Sequence, residues 1–167
     1  PNGEFIRFVE DVGPHPIGPY TIARADGSGI VEGVWISARV SDDWSPDGKQ
    51  IVTSDDDFAA LQGSKLYIAD ADGFNKRILY GSEGFSADDP KWSPDGTQIA
   101  FKKRNDNPTA ANRISLWVIN LESNAARELP VSSNVWGVET WSPDGKQILI
   151  TAEGGVFQVV SLDGQPP

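Results

Sequence analysis

The chain has 167 residues, with 14 Lys+Arg against 24 Asp+Glu, a formal charge of −10. That charge repels a polyanion, which argues against nucleic acid as a partner. There is no cysteine, which removes disulfides, thiolate nucleophiles and zinc–thiolate sites. The apolar runs are only a few residues long, such as Ile148-Leu149-Ile150, and fall far short of the roughly 20 residues of a membrane-spanning helix.

In chain order the sequence opens with Pro1-Asn2-Gly3-Glu4-Phe5-Ile6, which reads as the tail of a turn followed by a strand. Tyr20-Thr21-Ile22-Ala23 then leads into Asp26-Gly27. Next comes the pentapeptide Trp-Ser-Pro-Asp-Gly at Trp44–Gly48, followed by Gln50-Ile51-Val52, by Leu66-Tyr67-Ile68-Ala69 running to Asp72-Gly73, and by Lys76–Tyr80. The pentapeptide returns at Trp92–Gly96 and Trp141–Gly145, periods of 48 and 49 residues. Each copy is trailed by similar apolar segments: Gln98-Ile99-Ala100, Leu116–Ile119 and Ala126–Val131, then Gln147-Ile148-Leu149 and Phe157–Val160 with Asp163-Gly164. There is no methionine and no signal-peptide pattern, so residue 1 is not expected to be the natural start.

Ser-Pro-Asp-Gly places Pro, with its fixed φ, at the second turn position and Gly at the end, where a left-handed backbone costs nothing. The flanking segments are short and rich in Ile, Val and aromatics, and helix caps are absent. The expectation is an all-β chain of four-stranded antiparallel units, and meanders repeated every ~40–50 residues mark β-propeller blades. The whole chain, 1–167, reads as a single propeller segment with units at about 1–38 (partial), 39–86, 87–135 and 136–167 (partial). That makes an incomplete, open propeller of about four blades, two complete and two partial. Both partial units hold their own second and third strands, so they do not merge into one closing blade. The exposed faces and edges of an open run call for cover, from further blades or from another subunit.

The three Trp-Ser-Pro-Asp-Gly motifs, with Ile68-Ala69-Asp70-Ala71-Asp72-Gly73, resemble the WD-like propeller repeats of TolB. Such repeats also occur in the tricorn protease and in prolyl-oligopeptidase-type serine peptidases. The resemblance implies a propeller, usually extracytoplasmic (periplasmic or extracellular) in bacteria, used for docking proteins or for screening a protease chamber. The chain has fewer repeats than such propellers normally carry, and TolB's separate amino-terminal domain is missing.

Trp44, Trp92 and Trp141 recur at one place in the repeat and are assigned to the core, where each ring contributes at most roughly 4–6 kcal/mol by area. Pro-Asp-Gly and Ala-Asp-Gly turns fall on one rim. The other rim takes the long, dissimilar loops Glu10–Pro19, Asp55–Ser64 and Arg104–Arg113, and variable loops on a rigid scaffold are where recognition is usually built. Trp35, Phe85 and Trp136 are the candidate binding-rim aromatics; the competing reading is that they plug the junctions between blades. Asp42-Asp43, Asp55-Asp56-Asp57, Asp88-Asp89 and Glu139 raise calcium in an acidic channel as a weak option, without the twelve-residue calcium-loop pattern. No other cofactor is expected.

No catalytic motif is found. His15 is the only histidine, and neither a Gly-x-Ser-x-Gly elbow, a His-Glu-x-x-His pair nor a phosphate-binding glycine loop occurs. The leading expectation is a non-catalytic module for protein–protein interaction or scaffolding, possessing protein partners or completing blades. The alternatives are the propeller domain of a serine peptidase whose hydrolase domain lies outside this chain and, behind it, a carbohydrate-active propeller using facing carboxylates.

Overall fold

A computed structural model describes residues 5–9, 20–36, 41–55, 63–107, 109–110 and 113–164. Among them there is no helix, and fourteen strands form four antiparallel meanders. The first sheet holds β1 (Phe5–Val9), β2 (Tyr20–Arg24) and β3 (Ile30–Ile36). The second holds β4 (Asp42–Trp44), β5 (Gln50–Asp55), β6 (Lys65–Asp70) and β7 (Arg77–Tyr80). The third holds β8 (Phe85–Trp92), β9 (Gln98–Asn105), β10 (Ile114–Asn120) and β11 (Ala126–Leu129). The fourth holds β12 (Val135–Trp141), β13 (Gln147–Ala152) and β14 (Val156–Ser161). These are the three- and four-stranded open sheets expected from the repeat. The third and fourth open at Phe85 and Val135, just ahead of the unit starts at 87 and 136.

The repeat is kept at the level of strand register. Trp44, Trp92 and Trp141 stand opposite Ile51, Ile99 and Ile148. Those isoleucines in turn stand opposite Ala69, Ile119 and Val160. Because side chains alternate across a strand, equal register puts equal positions on the same face of every sheet.

The turn explains why the motif is invariant within the chain. The Ser45 hydroxyl donates to Asp47 at 2.7 Å, the Lys49 N–H donates to the same carboxylate at 3.1 Å, and the Gln50 N–H donates to Ser45 Oγ at 2.9 Å. The same three bonds recur at Ser93-Asp95-Gln98 and Ser142-Asp144-Gln147. Gly48 N–H closes the turn onto Ser45 O at 2.8 Å with φ of 70°, a left-handed value that favours glycine. In each turn the serine hydroxyl, then the backbone N–H two residues beyond the aspartate, holds Asp47, Asp95 and Asp144 below the usual carboxylate range.

Two apolar clusters hold the sheets face to face. Between the second and third lie Val52, Leu66, Ile68, Leu79, Trp92 and Phe101, and between the third and fourth lie Ala100, Leu116, Leu129, Trp141, Ile148 and Ile150. Trp92 and Trp141 are buried, whereas Trp44 is half-buried. The Trp141 indole N–H donates to Lys91 O at 2.9 Å, while the Trp92 Nε1 is buried without a hydrogen-bond partner.

Candidate functional site

The acidic residues of the inner strands are used as staples between elements. Asp43 accepts the Trp92 N–H at 2.8 Å, Asp88 accepts the Ser64 hydroxyl at 2.6 Å, and Glu139 accepts the Thr151 hydroxyl at 2.6 Å. Asp89 does most. Its N–H donates to Ser41 Oγ at 2.8 Å, its carboxylate accepts the Val138 N–H at 2.8 Å, and Lys102 Nζ lies 3.9 Å away. It thereby ties three successive sheets together, with a left-handed φ of 59° at an irregularity in the β8–β9 pairing. Asp42 lies beside Asp43 on β4. Among the described residues no three acidic or histidine side chains converge on a point where a metal could sit. Asp56-Asp57 and His15 lie outside the described residues, as does the Asp55 side chain.

The two rims differ as strand ends and turns require. The rim opposite the Pro-Asp-Gly turns receives the far end of β9, where the strand runs past its buried Ile99-Ala100-Phe101 segment into Lys102-Lys103-Arg104. Lys103 alternates to the side of the second sheet. Its ammonium lies 4.1 Å from the Phe85 ring centroid, 4.2 Å from Trp117 and 5.7 Å from Tyr80, and Tyr80 itself packs on Phe101 at 4.8 Å. Half-buried Phe85 therefore belongs to an aromatic cluster at the junction of the second and third sheets, capped by a cation. Trp35 lies on β3, where its side chain is outside the described residues, as is the Glu10–Pro19 loop.

Trp136 is different: on β12 it is 52% exposed. Its carbonyl accepts a hydrogen bond from Lys102 Nζ at 3.1 Å, and the residue lines an open cleft of about 320 Å³ with Arg104, Arg113, Ile114 and Asn134. Arg104 is committed, donating to Ser86 Oγ at 3.1 Å and lying 3.6 Å from Asp106. Asn134 is also committed: it accepts the Ile114 N–H at 3.1 Å and donates to Glu153 at 3.0 Å. Arg113 Nε is buried with no hydrogen-bond partner. A second hollow of about 700 Å³ lies at the preceding junction, among Gly63, Lys65, Ile78, Gly81, Glu83 and Asp106. No motif or spacing marks these arginines in the sequence. The signal available was Lys102-Lys103-Arg104, a cationic run in a chain of charge −10.

No family model matches the chain. It is similar to the Tol-Pal system protein TolB of Alcanivorax borkumensis, 33% identical over 88 residues that make up 52% of this chain and 19% of TolB. It is also similar to the uncharacterized peptidase YuxL of Bacillus subtilis, 38% identical over 69 residues, 40% of this chain and 10% of YuxL. The matches thus span a fifth or less of those relatives' lengths. Among solved structures, TolB from Acinetobacter baumannii superposes with a TM-score of 0.58 at 22% identity, covering 84% of this chain and 33% of TolB; at that identity the match speaks to fold alone. Repeat, strand register, sheet topology and relatives agree: the chain has homologues among the TolB proteins and carries a TolB-like β-propeller fold.

Proposed function

We propose that the chain is a non-catalytic docking module, holding a protein partner on the rim opposite its Pro-Asp-Gly turns, in an extracytoplasmic setting such as the periplasm. One observation carries this reading. The turn rim repeats one hydrogen-bonded unit three times, while the opposite rim presents an exposed tryptophan beside arginines and a lysine. Tryptophan and arginine are the residues that most often anchor protein interfaces. The similarity to a Tol-Pal system protein supports a role within an assembly, and the absence of a helix long and apolar enough to cross a membrane among the described residues is compatible with it. The test is photo-crosslinking from a reactive group placed at position 136 and, in parallel, at position 95 on the turn rim. One dominant protein adduct from 136 and none from 95 is the expected result. Equal labelling from both rims, or turnover of peptide or glycan by the purified chain, overturns it.

A second reading is favoured by the YuxL similarity: the propeller domain of a serine peptidase, with its chemistry in another domain of the parent protein. A Gly-x-Ser-x-Gly domain encoded in the same gene would decide for it.

A further inference from the structure

We propose that the chain pairs with a second copy of itself: the end face of the fourth sheet, at Leu149, Phe157 and Val159, packs on the end face of the partner's first sheet, at the register positions of Ile6, Phe8 and Ala23. Each copy has both end faces, so two copies close head to tail into one ring. This pairing is independent of the docking reading, because it uses the two ends of the run of sheets and leaves the rim free.

What covers such a face is seen twice within the chain. Val52, Leu66 and Ile68 of the second sheet share a cluster with Ile99, Phe101 and Ile119 of the third, and Ala100, Leu116 and Val118 of the third share one with Ile148, Ile150 and Val160 of the fourth. Leu149, Phe157 and Val159 continue the first series by register, since Leu149 stands opposite Val159 as Val52 does opposite Ile68 and Ala100 opposite Val118. Yet Phe157 and Val159 are exposed and Leu149 is half-buried. The first sheet continues the second series. Ile6 stands opposite Ala23 as Ile99 does opposite Ile119 and Ile148 opposite Val160, and Phe8 follows two residues on, as Phe101 and Ile150 do. Ala23 is half-buried where Ile119 and Val160 are buried. The two end faces are thus the two halves of a junction that the chain already forms twice.

A face of one kind meeting a face of another is a head-to-tail contact, which closes only when the copies complete a turn. Two copies bring twice the four sheets of one chain, at the top of the roughly four to eight blades of propellers, and a third copy would exceed it. Within one copy the ends do not meet, for Phe157 is 67% exposed. The contact is weaker than the junctions inside the chain. There, the side chain three residues before the tryptophan accepts the N–H at the same position of the next sheet, Ser41 from Asp89 and Asp89 from Val138. In the fourth sheet that residue is Val138 itself, whose side chain has no acceptor to give. The first sheet brings no tryptophan-bearing strand among the described residues, and a charge of −10 on each copy opposes association. Pairing is therefore reversible, with a dissociation constant on the order of 10 µM, so that copies are apart at about 1 µM and paired at about 200 µM.

The test is sedimentation of the 167-residue chain over that range, in about 0.3 M salt so that like charges are screened. The expected masses are 18.0 kDa at the dilute end and twice that at the concentrated end. Phe157→Asp puts a charge into the seam and raises the dissociation constant at least about tenfold. Phe157 is exposed in the single chain, so the urea midpoint of the dilute variant stays unchanged. The direction of pairing is read by crosslinking, for which a cysteine-free chain is suited. A bismaleimide of about 10 Å span, the spacing of packed sheets, joins Phe157→Cys to Phe8→Cys when the two variants are mixed, and neither variant to itself. A constant 18.0 kDa at every concentration, as when a further sheet of a longer polypeptide is what the face takes, overturns the proposal. So do pairing indifferent to Phe157→Asp, a mass growing past twice that of one chain, and Phe157→Cys joining itself as readily as it joins Phe8→Cys.

Discussion

Leu116 and Val118 on β10 occupy the same register positions as Phe157 and Val159 on β14, opposite equivalent residues of the preceding strand. The first pair is 0% and 2% exposed; the second is 67% and 42%. In the second sheet, Leu66 and Ile68 repeat the buried state at 0% and 2%. The strands, the turn and the apolar character are alike in all three sheets. What differs is the neighbour: the second and third sheets each receive the tryptophan-bearing face of the next, and the face of the fourth that carries Phe157 receives none among the described residues. A propeller strand is thus specified by its own repeat, but its apolar face becomes core only when another sheet packs on it.

The sharpest way to break this comparison is to truncate both positions. Leu116→Ala is expected to cost about 3 kcal/mol, within the usual range of roughly 2–5 for buried leucine, and Phe157→Ala less than about 0.5 kcal/mol, as for surface changes. Urea denaturation of both variants gives the answer, and similar losses would show that the fourth sheet is buried in solution by a second molecule. Next in size is the staple. Asp89→Ala removes the acceptor of the Val138 N–H and puts alanine at a left-handed φ, for an expected loss of about 2 kcal/mol; an unchanged urea midpoint would mean the sheets cohere by apolar contact alone.

The two buried tryptophans give a smaller contrast. Trp141→Phe breaks a bond to Lys91 O, whereas Trp92→Phe deletes an N–H that has no partner. The first should be costlier by about 1 kcal/mol, measured again by urea melts, and the reverse order would refute the hydrogen-bond assignment.

The smallest expected effect is acid sensitivity of the turns. Asp47, Asp95 and Asp144 are held below their ordinary value of 3.8 by serine hydroxyls and backbone N–H groups. Their folded-state values are depressed, so the stability they contribute is fully present above that ordinary value and drains as pH falls through the lower folded values. Comparing urea midpoints at about pH 6 and about pH 3, the triple Asp→Asn variant should lose less on acidification than the unsubstituted chain. Parallel losses would assign acid sensitivity to other carboxylates.

Much of the fold was legible in the sequence because its information is local. Ser45, Pro46, Asp47 and Gly48 close their own turn through bonds spanning five residues or fewer, and three copies give the period outright. The candidate site was legible only in part. Trp136 could be placed on the loop-bearing rim by counting strands, but so could Phe85, and only the structure shows Phe85 half-buried against Lys103 while Trp136 stands open. The acidic pairs suggested a shared channel, yet Asp43 and Asp89 reach backbone N–H groups of the following sheet, 49 residues away in both cases. That separation is one repeat, so the period itself is in the sequence, but which side chain reaches across to the next sheet is not.

By itself, then, the sequence determined the elements: strand-forming alternation and a self-bonded turn act over a few residues and need no distant help. The tertiary structure decided which apolar faces are core, which carboxylates are staples, and that Arg104, Arg113 and Trp136, drawn from β9, the segment preceding β10, and β12, border one cleft. Those outcomes depend on how one sheet is laid against the next, a relation between residues far apart in the chain that no local preference encodes.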